Sequence, residues 1–124
     1  MAVAHSPGFL KLVKDAKSRV QQIDIEEYRN MRESGEDHIL VDVREDREWA
    51  AGHVAGAVHI GKGVIERDIE TEVPGKDATL VLYCGGGFRS ALAADNLQKM
   101  GYANVISLDG GWRALKESDL PLEK

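Results

Sequence analysis

Apolar residues recur along the chain in two alternating rhythms, one helical and one strand-like. Behind Ser6-Pro7, a cap followed by proline at the first helical position, Phe9, Leu12, Val13, Ala16 and Val20 form a helical stripe. A sharper start follows. Asp24 with Glu27 reads as a capping box, Ile23 with Tyr28 as its hydrophobic staple, and Gly35 sits where that helix should stop. Residues 38–43 are a nearly continuous apolar run, the pattern of a strand buried on both faces. A short polar helix over 45–51 ends at Gly52, a weak strand covers 57–60, and 63–70 can be helical. Residues 79–83 are a second apolar strand. A helix from Ser90, marked by Ala93, Leu97 and Met100, closes at Gly101; a strand over 104–108 and a helix over 112–117 complete the series. Pro121 terminates the last helix, and the acidic end reads as solvated surface.

Strands alternating with helices predict an α/β fold with a mostly parallel central sheet flanked by helices. At 124 residues the chain suits one domain that buries roughly two thirds of its unfolded surface. The expected organisation is an N-terminal helical extension over 1–22, packed on a domain over 23–124. In such sheets ligands bind beyond the carboxyl ends of the strands. Asp42-Val43-Arg44 and Tyr83-Cys84 are both strand ends, so one rim should gather them.

Composition narrows the partners. The formal net charge of −5 argues against a nucleic-acid binder, and anionic substrates must be held by the site because the whole-molecule field does not steer them. Phe9-Leu10 runs straight into Lys11, so no secretory apolar region is expected, and no stretch approaches a membrane span. A cytoplasmic location is expected. The single cysteine, Cys84, cannot form an internal disulfide.

Cys84 is also the candidate for chemistry. It opens the run Cys84-Gly85-Gly86-Gly87-Phe88-Arg89-Ser90, directly behind a buried strand and ahead of a helix. Glycines leave the concavity free of side chains and let successive amides turn inward, and the helix adds its unpaired N–H groups. A thiolate should be stabilised there, which predicts a nucleophile at neutral pH. A lone buried cysteine is more often inert, but three adjacent glycines exceed what a structural turn needs. Dinucleotide and P-loop readings fail on spacing, since the third glycine of the former falls on Ser90 and neither Gly-Lys pair is followed by Ser or Thr. Arg89 has two readings, anchoring the loop or contacting a ligand, and Asp42 is the acceptor considered for it. Arg44 reads either as a rim contact for substrate or as an i,i+4 surface partner of Glu48. His53 and His59 do not complete a metal set, so no metal is expected. No motif surrounds His5 or His38.

These residues resemble the rhodanese (sulfurtransferase) family from about Ile23 to Leu120. The loop 84–90 matches that family's Cys-x-x-Gly-x-Arg-Ser/Thr pattern. Asp42-Val43-Arg44-Glu45 with Glu48 and 52–57 resemble its upstream signature, and Leu108-Asp109-Gly110-Gly111-Trp112 its closing motif. The resemblance implies a single-domain enzyme in which Cys84 takes a sulfane sulfur from thiosulfate or a persulfide and holds it as a persulfide. Cyanide or a thiol, including a protein persulfide or thioredoxin-like partner, then accepts it. It further implies catalytic roles for Cys84 and Arg89, substrate contacts from Gly85, Gly86, Gly87, Phe88 and Ser90, a structural His53, and no cofactor, because the electrophilic sulfur arrives with the donor; a substrate contact from Arg44 is expected from its strand-end position alone. Four residues separate Cys84 from Arg89, one fewer than in the related phosphatases and arsenate reductases, which are the alternative class. A non-enzymatic sulfur carrier or thiol sensor is the third. Efficient thiosulfate users in the family often carry cations inside the loop, whereas this interior is Gly85, Gly86, Gly87 and Phe88. An organic or protein persulfide therefore competes with thiosulfate as donor.

Overall fold

The computed structural model describes residues 5–124, and residues 1–4 of the expected 1–22 extension lie outside the described residues. Three runs rich in Val, Leu and Ile form its centre: β2 (Ile39–Asp42), β5 (Thr79–Tyr83) and β6 (Asn104–Leu108). With β1 (Gln21–Ile23) and β4 (Val58–His59) they make a five-stranded sheet in the order β1-β6-β5-β2-β4, every pair parallel. Apolar side chains on both faces are what such a sheet requires.

Alternation along β5 assigns the faces. Leu80 and Leu82 point into one cluster with Ile65 and Ile69 of α4 (Ile65–Glu72) and Ala93, Ala94 and Leu97 of α5 (Phe88–Lys99). Val81 and Tyr83 point into the other, with Tyr28 and Met31 of α2 (Ile25–Glu33) and Leu115 of α6 (Gly111–Glu117). Truncating a fully buried leucine in such a core costs about 2–5 kcal/mol. The core therefore fixes where β5 ends.

Helix α1 (Pro7–Lys17) lies along α5, with Val13 and Ala16 buried. Arg19 ties the two together through Asp95, at 3.0 Å and 2.8 Å, and Gln98 donates to the Arg19 carbonyl at 3.0 Å. A boundary at residue 22 would cut β1, whose Gln21 and Gln22 pair with Ile106 and Ser107.

The capping box at α2 is present: Glu27 N–H donates to Asp24 Oδ1 at 2.8 Å, and Asp24 N–H to Glu27 Oε1 at 3.1 Å. Two expectations need correction. The helix after the glycine loop starts at Phe88, not Ser90, which puts Phe88, Arg89 and Ser90 in its first turn. The acidic end is not only solvated surface, because β7 (Leu122–Glu123) pairs antiparallel with β3 (His53–Val54). Between β2 and β3 runs α3 (Asp46–Ala51), which ends at Gly52.

Candidate active site

Cys84 leaves β5 at the carboxyl edge of the sheet and is 1% exposed. Its sulfur accepts from the backbone N–H of Gly87 at 3.1 Å and of Ser90 at 3.4 Å, and lies 3.5 Å from Ser90 Oγ. Ser90 Oγ is itself 2.8 Å from Ser107 Oγ at the end of β6, so the hydroxyl is held in place by a second buried serine. Gly87 caps α5 with φ of 97°, a left-handed value that glycine adopts freely. The helix N-terminus therefore points at the thiol, and its unpaired N–H groups favour an anion there.

The closing motif forms the floor of this loop. Trp112 N–H donates to the Cys84 carbonyl at 2.7 Å and Arg113 N–H to the Gly85 carbonyl at 3.3 Å. That approach needs Gly111, with φ of 47°, because a Cβ there would collide with the Cys84 carbonyl. Gly86 is the opposite case. A Cβ on it would meet nothing within 4 Å.

Arginine partners are exchanged relative to expectation. Arg89 forms a forked pair with Glu48, Nη1 to Oε1 at 2.7 Å and Nη2 to Oε2 at 3.1 Å, rather than with Asp42. The Arg89 hydrogen bond holds the Glu48 carboxyl below the usual glutamate range. Arg89 in turn is held charged by its hydrogen bonds to Glu48, against the opposing effect of burial. Arg44 is no surface partner of Glu48. It is 2% exposed, bonds Asp42 through Nε at 3.0 Å and Nη2 at 2.7 Å, and donates to the Gly52 carbonyl at 2.7 Å. Its guanidinium also stacks on Trp112, 4.4 Å from the ring centroid. This places Arg44 beneath the rim, locking β2 to the turn at Gly52.

A cavity of about 590 Å³ opens in front of Cys84. Of the expected site residues, Cys84, Gly85, Gly86, Phe88 and Arg89 line it; Gly87 and Ser90 stand behind the sulfur as donors, and Arg44 lies outside. Glu48, His5, Ser6, Phe9 and Arg113 also line the cavity, and none was assigned to it from the sequence. Only Glu48 left a usable signal, its place in the upstream motif. His53 is bonded to the Trp49 carbonyl at 2.9 Å and to Glu123 at 3.3 Å, away from the thiol. Among the described residues no cluster of three or more His, Cys, Asp or Glu side chains could hold a metal ion, and no helix is long and apolar enough to cross a membrane.

Parallel sheet, glycine loop and buried thiol together define an α/β protein built around a single cysteine in a turn whose N–H groups face the sulfur. The chain belongs to the rhodanese-like domain family, which matches residues 24–118. Thiosulfate sulfurtransferase GlpE of Pseudomonas aeruginosa is 35% identical over 102 residues, covering 80% of this chain and 89% of that protein. Probable adenylyltransferase/sulfurtransferase MoeZ of Mycobacterium tuberculosis is 35% identical over 97 residues, 76% of this chain but only 25% of that longer protein. Among solved structures, a Rhodopseudomonas palustris protein of unknown function, RPA3614, described as a possible tyrosine phosphatase, superposes with a TM-score of 0.81. It is 29% identical, with 99% of each chain covered.

Proposed function

We propose that the protein is a sulfurtransferase that works through a Cys84 persulfide. The thiolate attacks the outer sulfur of thiosulfate or a persulfide; a Cys84–sulfur bond forms, the donor's sulfur–sulfur bond breaks, and sulfite or a thiolate departs with the electron pair. An external acceptor, cyanide or a thiol, small or carried by a persulfide-handling or thioredoxin-like protein, then removes the outer sulfur. Dividing the transfer this way replaces one difficult step by two easier ones. Cys84 and Arg89 are the catalytic residues of this reading. Gly85, Gly86, Gly87, Phe88 and Ser90 bind the transferred sulfur, and Arg44 supports them from below.

The observation that carries the reading is the pair of N–H donors aimed at Cys84 Sγ inside a loop only four residues wide between Cys84 and Arg89. Each charge-assisted hydrogen bond contributes about 1.5–3 kcal/mol to an anion, enough for a few to hold a persulfide. A phosphatase would need the same loop to enclose a tetrahedral oxyanion, and the related phosphatases use one residue more. The free thiol suits a reducing compartment, which favours the cytoplasm.

Turnover of thiosulfate with cyanide to thiocyanate and sulfite, lost in Cys84→Ser, is the expected result. Hydrolysis of p-nitrophenyl phosphate or reduction of arsenate without sulfur transfer would favour the phosphatase and arsenate-reductase class. A persulfide that forms but never turns over would favour a carrier or sensor.

A further inference from the structure

The cavity in front of Cys84 has two unlike sides. One is the glycine loop with the Arg89–Glu48 pair; on the other, the start of α1 sets His5 and Phe9 against Phe88. Ring centroids lie 4.9 Å apart for His5 and Phe88, 5.2 Å for His5 and Phe9, and 6.2 Å for Phe9 and Phe88. Three rings therefore make one continuous wall, as paired aromatics at these separations do. Two contacts hold α1 against Phe88 and α5. Lys17 Nζ sits 5.0 Å from the Phe88 ring centroid, and α1 is pinned to α5 through the Arg19–Asp95 pair. Phe9 and Phe88 nonetheless remain partly exposed toward the cavity.

Charge is distributed unevenly as well. Glu48 occupies both Nη atoms of Arg89, whereas Arg113, on the rim, makes no ion pair among the described residues. Among the described side chains that line the cavity, Arg113 is thus the cation left to meet a donor's charge. A volume of about 590 Å³ lies in the range that encloses an organic ligand, and thiosulfate would leave the three rings facing water.

We propose that the preferred donor is an organic sulfane-sulfur anion whose apolar body rests on the wall of His5, Phe9 and Phe88 while its anionic group faces Arg113. The proposal rests on the sulfurtransferase reading. An aryl thiosulfonate is the simplest probe of this class. The Cys84 thiolate attacks its terminal sulfur, a Cys84–sulfur bond forms, the bond to the sulfonyl sulfur breaks, and the electron pair leaves with the sulfinate; no oxidant, reductant or proton is consumed.

The test is kcat/KM for benzenethiosulfonate, methanethiosulfonate and thiosulfate on the full chain, with cyanide as acceptor and the Cys84 persulfide followed by intact mass. Benzenethiosulfonate should exceed both other donors by about tenfold or more, mainly through KM, the scale expected for burying one ring. Phe9→Ala should bring the ratio of the two thiosulfonates to about threefold or less, and Arg113→Gln should lower both by about tenfold while keeping their ratio. Because each ratio is taken within one preparation, a partly unfolded variant still reports it. A ratio near one in the unmodified chain, or one that Phe9→Ala leaves unchanged, would overturn the proposal even if thiosulfate forms the persulfide. No persulfide from any donor would overturn the sulfurtransferase reading, and this inference with it.

Discussion

Glu48 and Arg44 illustrate how two buried or half-buried charges near one thiol come to do different work. Glu48 fixes both arms of Arg89, so Glu48→Gln should leave the fold intact and lower kcat/KM for thiosulfate by about 10- to 100-fold, the loss of a charge-assisted fork. The pH dependence has a definite sign. Because Arg89 depresses the Glu48 carboxyl, the pair is complete above the unfolded glutamate value of ~4.3 and is lost as pH falls through its lower folded value. Activity should therefore not respond to this group at or above the ordinary glutamate range, and should fall with the pair only as pH drops below that range; Glu48→Gln should remove that acid limb. Arg44 contributes through the core instead. Arg44→Met leaves Asp42, 0% exposed, without its cation, and should cost roughly 3–5 kcal/mol in urea unfolding.

At the level of elements, the site is the meeting of β5, α5 and the floor made by α6, and its two contrasting glycines test that design. Gly111→Ala should displace the Cys84 carbonyl and abolish persulfide formation, because its Cβ has no room and its φ is left-handed. Gly86→Lys should fold normally and raise kcat/KM for thiosulfate about tenfold, since it adds a loop cation where space is open. Strands β2, β5 and β6 were legible as apolar runs, and α2 through its capping box, because burial on both faces and local capping leave marks in sequence. Strands β1, β3 and β7 were not. Gln21–Ile23 and Leu122–Glu123 are too short and polar for periodicity, and exist through partners more than 60 residues away in sequence, Ile106–Leu108 and His53–Val54. The loop was legible from its glycines, but the start of α5 was not, since the hydrogen bonds to Cys84 rather than an apolar stripe set it at Phe88. His5 and Phe9 reach the site only because α1 packs on α5, a tertiary event that no local motif announces.

Across the whole molecule, one thiol and a net charge of −5 set the terms of the reaction. The field does not draw in anionic donors, so the loop and its rim must hold them. Under the proposed mechanism a Cys84 persulfide would meet no second cysteine in this chain, so its sulfur would leave to a partner. The family match begins at residue 24, yet two of the three rings of the aromatic wall, His5 and Phe9, come from before it, so the cavity extends beyond the matched residues. The most direct measurement is a single turnover without acceptor: treat the protein with thiosulfate or an organic thiosulfonate, remove the donor, record intact mass, then add cyanide. The account predicts one added sulfur per chain, located on Cys84 and released as one equivalent of thiocyanate, and no addition in Cys84→Ser. An unchanged mass with every donor, or sulfur transfer that survives Cys84→Ser, would contradict it.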